Sequence, residues 1–90
     1  MIKGFKDAEA EALFRHRRAS GRLAPYAKAA LRKLDQIDVV DRIDELFVPP
    51  GNQLKKIREN LWQIRIDRQY RVRFRWDGHD AFDVEVGDFH

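Results

Sequence analysis

The sequence predicts a small α+β domain: a mostly antiparallel sheet of about four strands with two N-terminal helices packed on one face, in the order β-α-α-β-β-β. Three observations predict it. Apolar residues recur at helical spacing in the first half of the chain and at every second position from Trp62 onward. Turn-forming clusters divide the two regimes, at Ser20-Gly21 and at Pro49-Pro50-Gly51-Asn52. Ninety residues leave room for one core, so residues 1–90 form a single domain in which every element must share it.

The elements follow in order. Residues 1–5, Met-Ile-Lys-Gly-Phe, are a short strand candidate. Asp7 can cap a helix in which Ala10, Leu13, Phe14 and Arg17 recur on one side, with Ser20-Gly21 ending it. Pro25 suits the first turn of a second helix, which gathers Ala27, Ala30, Leu31 and Leu34 on one face. The stretch 38–47 adds a turn or two before Pro49-Pro50 breaks the chain. Then the period becomes two. Trp62, Ile64 and Ile66 alternate with Gln63, Arg65 and Asp67; Tyr70, Val72, Phe74 and Trp76 with Arg71, Arg73 and Arg75; Phe82, Val84 and Val86 with Asp83, Glu85 and Gly87. Three strands, each apolar on one side only, make a sheet with one face under the helices and one in solvent.

Directly opposed residues share a face, so both hairpins are expected to have odd-length loops. A loop of Asp67–Gln69 sets Ile64 against Val72, Trp62 against Phe74, and Arg65 against Arg71. A loop of Asp77–His79 sets Phe74 against Phe82, Arg73 against Asp83 and Arg71 against Glu85. In this register Asp88, Phe89 and His90 arrive beside Arg68–Arg71.

Charge is concentrated rather than spread. The net charge is +3, but residues 55–75 carry eight Lys or Arg against two acids, and residues 76–90 carry five acids and no Lys or Arg. A basic stretch of this density suits a polyanionic partner, with the acidic tail neutralising part of it. The absence of cysteine excludes disulfides and thiolate metal sites, and His16 and His79 have no ligand partners at metal spacing. No apolar run approaches the roughly 20 residues of a membrane span. A soluble, cytoplasmic protein without membrane contact, metal or cofactor is therefore expected. No Gly-rich phosphate loop, nucleophile elbow or paired-carboxylate motif is present.

Two arginines opposed across a ladder repel by a few tenths to about 1 kcal/mol unless something anionic lies between them. A solvated charge lattice neutralised by Asp83 and Glu85 is one reading of the polar face. A phosphate-binding surface centred on Arg71 is the other, since guanidinium is always charged and can bridge two phosphate oxygens. The loop before the sheet would hold Asn52, Lys55 and Lys56 at the rim of that face. Histidine is the side chain whose ordinary charge change falls near neutral pH, which makes His90 a candidate proton carrier. A surface of Lys, Arg and His without metal suits cleavage of RNA through its own 2′-hydroxyl: cations stabilise the developing phosphorane charge, and acid–base help adds roughly 10²–10⁴-fold. DNA lacks that internal nucleophile.

Nearly end to end, the chain resembles a HigB-type toxin of the RelE/ParE superfamily of toxin–antitoxin proteins. The resemblance rests on MIKGF, EALF in the first helix, PPGNQL, WQIRIDRQYRVRFRW, and the closing VEVGDFH. It implies the RelE-like fold and ribosome-dependent cleavage of mRNA in the decoding site. It also implies neutralisation by a HigA-like helix-turn-helix antitoxin, with operator DNA bound only through that antitoxin. By this likeness Arg71 would stabilise phosphate charge, His90 would shuttle a proton and Lys55 would contact phosphate. Lys56, Arg65, Arg68, Arg73 and Asn52 would contact mRNA or rRNA, and Phe89 would stack on a base. Two departures stand out: the terminal aromatic is commonly Tyr where this chain has Phe89, and Asn52 stands where some relatives carry His. Weak cleavage is the expectation. A ParE-like gyrase-binding toxin and a weakly active relative kept in an autorepressor complex are the alternatives. Phe5, Leu23, Tyr26 and Phe47 are apolar candidates for either core or antitoxin contact.

Overall fold

A computed structural model describes residues 1–19 and 21–89. Two helices, α1 (Ala8–His16) and α2 (Ala27–Val39), precede four strands: β1 (Lys55–Arg58), β2 (Leu61–Arg65), β3 (Arg71–Trp76) and β4 (Ala81–Gly87). The strands form one antiparallel sheet in the order β1-β2-β3-β4. The α+β class, two helices and four-stranded sheet are as expected. The strand at the far edge, however, is Lys55–Arg58, whereas residues 1–5 make only two isolated parallel bridges to β4, at Ile2–Ala81 and Phe5–Val84.

Each helix starts and stops for a local reason. Asp7 Oδ1 accepts the backbone N–H of Glu9 and of Ala10, satisfying two of the orphan donors of α1. The helix ends at His16, before the expected Ser20-Gly21, because Arg17 turns left-handed at φ 55°. The Arg17 side chain is tied to both carboxylate oxygens of Asp35 at 2.9 Å and lies over Phe14. A 3₁₀ segment, Gly21–Tyr26, contains Pro25 and feeds directly into α2. Gly21 is required there: its φ is +56°, and a Cβ would collide with the Glu9 carboxylate.

The core lies between α2 and the sheet. Ala30, Leu34 and Ile37 of α2 meet Ile64, Val72, Phe74 and Val84, all essentially without exposure. Each large side chain so buried contributes about 1.5–3 kcal/mol. Of the four apolar candidates in the early segments, Leu23 is fully buried, and Phe5 and Tyr26 pack against the core. Phe47 is 59% exposed, as are its neighbour Val48 and Val39 to still greater degrees.

Asp77 opens the β3–β4 turn. Its Oδ1 accepts the N–H groups of Asp80 at 2.7 Å and His79 at 2.9 Å. Those bonds, the Asp80 one foremost, hold its pKa below the usual carboxylate value. A depressed acid stabilises the fold above its unfolded pKa, about 3.9, and loses that contribution as pH falls through the lower folded value. Asp77→Ala should therefore lower Tm at neutral pH and change it less as the pH drops below 3. Parallel thermal melts across that range check this.

Candidate functional site

The first hairpin has the expected register. Trp62 faces Phe74, Ile64 faces Val72, and Arg65 faces Arg71. The second does not. Its loop is four residues, Asp77–Asp80, so Trp76 faces Ala81 and Arg75 faces Phe82. An even loop would leave the rest of β4 on the wrong face. A bulge between Phe82 and Glu85 restores it, with Asp83 at φ 51°, a left-handed conformation that Asp tolerates better than most residues. Val84 and Val86 thus reach the core, while Phe82 sits half-buried on the polar face instead of the apolar one. Downstream partners move as well: Arg73 faces Glu85, and Arg71 faces Gly87.

These registers arrange the polar face in rows. One row crosses all four strands as Lys55, Gln63, Arg73 and Glu85. The next contains Arg65, Arg71 and Gly87. A third contains Arg58, Leu61, Arg75 and Phe82. The acidic strand answers the cations selectively. Glu85 opposes Arg73, and Asp83 pairs with Arg75 at 3.5 Å. No acid lies opposite Arg71 in the ladder.

The Arg65–Arg71 pair is held by a neutral acceptor. Arg65 Nε at 2.9 Å and Arg71 Nη1 at 2.7 Å both donate to the Asp67 carbonyl, and Arg71 Nη1 also donates to the Tyr70 carbonyl at 3.1 Å. The Asp67 carboxylate is meanwhile occupied by the N–H groups of Gln69 and Tyr70, which shape the turn. Arg68 is exposed in that turn. Arg73 Nε donates to Gln63 Oε1 at 3.1 Å, and its guanidinium carbon lies 4.5 Å from the centre of the Phe89 ring. The ring rests on Gly87, where a Cβ would come within 3.1 Å of it.

Lys55, Arg65, Arg71, Arg73 and Phe89 are therefore brought to one face, with Arg68 at its end. Lys56 is not. It alternates to the helix side, where its ammonium sits over Trp62 and 3.4 Å from Glu59. Asn52 is also misplaced by the sequence reading: it is fully buried rather than at a rim, because its amide is consumed by the fold. Its Nδ2 donates to Gln36 Oε1 and to the carbonyls of Leu46 and Val48, while Oδ1 accepts from Lys33 Nζ. His90, the expected proton shuttle, lies outside the described residues.

Sequence reading missed Arg58, since Lys55–Arg58 has a single apolar residue and no alternation. It also gave no role to Arg22, whose partners are remote in sequence. Arg22 donates to Asp7, to the Val86 carbonyl at 2.8 Å, and pairs with Glu9 at 2.9 Å. Burial opposes its charge, but Asp7 and then Glu9 outweigh that and raise its pKa. Beside it runs an open cleft of about 630 Å³ whose lining includes Lys6, Tyr26, Tyr70, Asp88 and Phe89. Tyr26 stacks on Tyr70 at 3.9 Å. The Tyr26 hydroxyl is buried, and burial pushes its pKa up while the neighbouring Arg22 guanidinium opposes the rise. It is consequently neutral at physiological pH and no phenolate base.

Comparison with known proteins meets this geometry. The family model of the RelE-like toxin of type II toxin–antitoxin system HigB matches residues 3–90. The chain is similar to Toxin HigB-1 of Vibrio cholerae serotype O1, with 38% identity over 60 residues that cover 61% of this chain and 63% of that relative. It is 34% identical over 57 residues to an uncharacterized protein of Haemophilus influenzae, spanning 56% of it. The chain thus spans less than two thirds of either of these relatives. It is 30% identical to Endoribonuclease HigB of Proteus vulgaris over 92 aligned positions, covering all of both chains. With the family model matched almost from end to end on a two-helix, four-strand α+β domain, this chain belongs to the HigB-type RelE-like toxins of type II toxin–antitoxin systems.

Proposed function

We propose that this chain is a metal-independent endoribonuclease that cuts ribosome-bound mRNA through the RNA 2′-hydroxyl and so inhibits translation. The observation that carries the reading is the Arg65–Arg71 row, solvent-facing, unanswered by a ladder acid and flanked by Phe89. A phosphate there would meet two guanidiniums already gathered at one carbonyl. Arg71 stabilises the charge that builds as the 2′-oxygen attacks phosphorus and the 5′-oxygen leaves. His90 moves the proton, Lys55, Arg65, Arg68 and Arg73 bind the RNA backbone, and Phe89 stacks on a base. The missing phenol on Phe89 makes cleavage slow. The Proteus vulgaris relative bears the name Endoribonuclease HigB, which supports the assignment.

The proposal extends to the partner. A HigA-like helix-turn-helix antitoxin neutralises the chain, contacts operator DNA for the complex, and seats on apolar surface away from the polar face. Phe47, with Val48 and Val39, offers exposed apolar surface for it.

The test is cleavage of mRNA on ribosomes by the purified chain, stripped of metal beforehand with chelator and assayed with only the Mg²⁺ that the ribosome itself requires. Cuts should leave a 2′,3′-cyclic phosphate and should disappear when the cut nucleotide is 2′-deoxy. Growth arrest on expression without antitoxin should accompany them. Cleavage of the deoxy substrate would refute the chemistry. Arrest with intact mRNA and poisoned gyrase supercoiling would instead establish the gyrase-binding reading.

A further inference from the structure

β4 is the last strand of the sheet, yet its outer edge is not left open. At Ala81, Lys3 N–H donates to the carbonyl at 2.8 Å and the Met1 carbonyl accepts the N–H at 3.0 Å. At Val84, Lys6 N–H and the Gly4 carbonyl do the same at 2.9 and 3.2 Å. By Val86 the N-terminal chain has turned into α1, and its backbone is spent on the helix. Two side chains take over. Asp7 Oδ2 accepts the Val86 N–H at 3.1 Å, and Arg22 Nη1 donates to the Val86 carbonyl at 2.8 Å. One acceptor and one donor, bonded to each other and braced by Glu9, offer what a neighbouring strand residue would offer.

From Asp7 and Arg22 we infer positioning residues of the functional face. Val86 is the last core residue before the terminal segment. The next residue, Gly87, faces Arg71, and Phe89 folds back over Gly87 beneath Arg73. β3 pairs only the inner edge of this strand end, so without the clamp the outward Val86 N–H and C=O would lose their partners and the end would be free to shift. Phe89 would then lose the platform that sets it beside the arginines. The consequence for cleavage rests on the nuclease reading proposed above; the placement of Phe89 does not.

An ordinary helix cap with a surface ion pair would account for Asp7 alone, and such pairs are worth little. The division of labour on its carboxylate argues otherwise. Oδ1 caps α1, and Oδ2 serves Val86 and Arg22. The two roles can therefore be separated. Asp7→Ser keeps a capping oxygen and deletes the one that clamps. Arg22→Gln removes the donor fork from the other side. Asp35→Asn, which breaks the Arg17 pair on the same helices, is the control.

The experiment reads the ring-current shift of the Gly87 α-protons by NMR, calibrated against Phe89→Leu, together with cleavage kinetics. Asp7→Ser and Arg22→Gln should each lose more than half of the calibrated shift while the core methyls of Val72 keep theirs; Asp35→Asn should lose none. Cleavage should fall roughly 10- to 100-fold in kcat/KM, because the ring that stacks on the base is displaced while the phosphate-binding arginines stay in place. Arg22→Lys, which keeps charge beside Asp7, should recover part of both. If the shift survives in both clamp variants, the inference is overturned. If the shift is lost while the parent itself cuts no RNA, the clamp stands and only the nuclease reading fails. Should Arg22→Gln fail to fold, Asp7→Ser alone decides the outcome.

Discussion

Arg71→Ala should slow mRNA cleavage by roughly 10²–10³-fold, the usual cost of removing one group aimed at developing charge, and should leave Tm unchanged or slightly higher. The combination is unusual, and the ladder explains it. Arg71 faces Arg65 across β2 and β3, a like-charge pair that costs the fold a few tenths to about 1 kcal/mol. Both guanidiniums share the Asp67 carbonyl. Arg71 Nη1 donates to the Asp67 and Tyr70 carbonyls, which hold its guanidinium beside that of Arg65 on the solvent-facing side of the sheet. On the nuclease reading proposed above, deleting Arg71 removes a repulsion from the protein and a charge from the transition state. Arg71→Lys should fall between, since an ammonium keeps the charge but not the fork. Arg65→Ala should weaken RNA binding with a smaller loss in rate. Single-turnover cleavage on saturated ribosomes, paired with thermal melts, separates these effects. A parental rate in both Arg71→Ala and His90→Ala would overturn the assigned roles.

The parts of this face that were legible in the sequence are those where polarity alternates on strands buried on one side. Trp62–Ile66 and Tyr70–Trp76 alternate on either side of the Asp67–Gln69 turn, and a one-residue slip would send Ile64 and Val72 into solvent, so the register of the first hairpin follows. The second hairpin was not legible, because Phe82, Val84 and Val86 look like one face. Asp77 and Gly78 close a four-residue loop, and the left-handed Asp83 then inserts the compensating residue. The bulge is masked here because Phe82, on the polar face, is itself apolar, so the pattern looks unbroken. What it changes matters: Glu85 moves from Arg71 to Arg73, and Arg71 is left facing glycine. The first strand was missed for a different reason. Lys55–Arg58 is an exposed edge, and charged edge strands carry no burial signal by design. Clamps such as Arg22 to Val86 join residues 64 positions apart, a relation no local pattern encodes.

Asn52→Asp should destabilise the protein by about 2–4 kcal/mol, the desolvation cost of leaving several buried acceptors unmatched. For a domain of this size that is a Tm drop of roughly 10–30 °C. The two side chains have the same shape, so packing is untouched and the chemistry alone is tested. The parent amide donates through Nδ2 to Gln36 Oε1 at 3.0 Å, to the Leu46 carbonyl at 3.1 Å and to the Val48 carbonyl at 3.4 Å. A carboxylate would set a second negative oxygen against all three. The gain is limited, because Lys33 Nζ already donates to Oδ1 at 2.6 Å. These bonds tie the end of α2 to the loop that leads into β1, and hence to Lys55. The loop's own turn, with Asn52 N–H on the Pro49 carbonyl and Gln53 left-handed at φ 47°, is then held from both sides. The reading of Asn52 as an RNA contact makes the opposite forecast: full stability with weakened RNA binding. Denaturant melts beside RNA affinity per folded molecule distinguish the two. With the amide at zero exposure, the loss belongs in the melt and not in the binding curve.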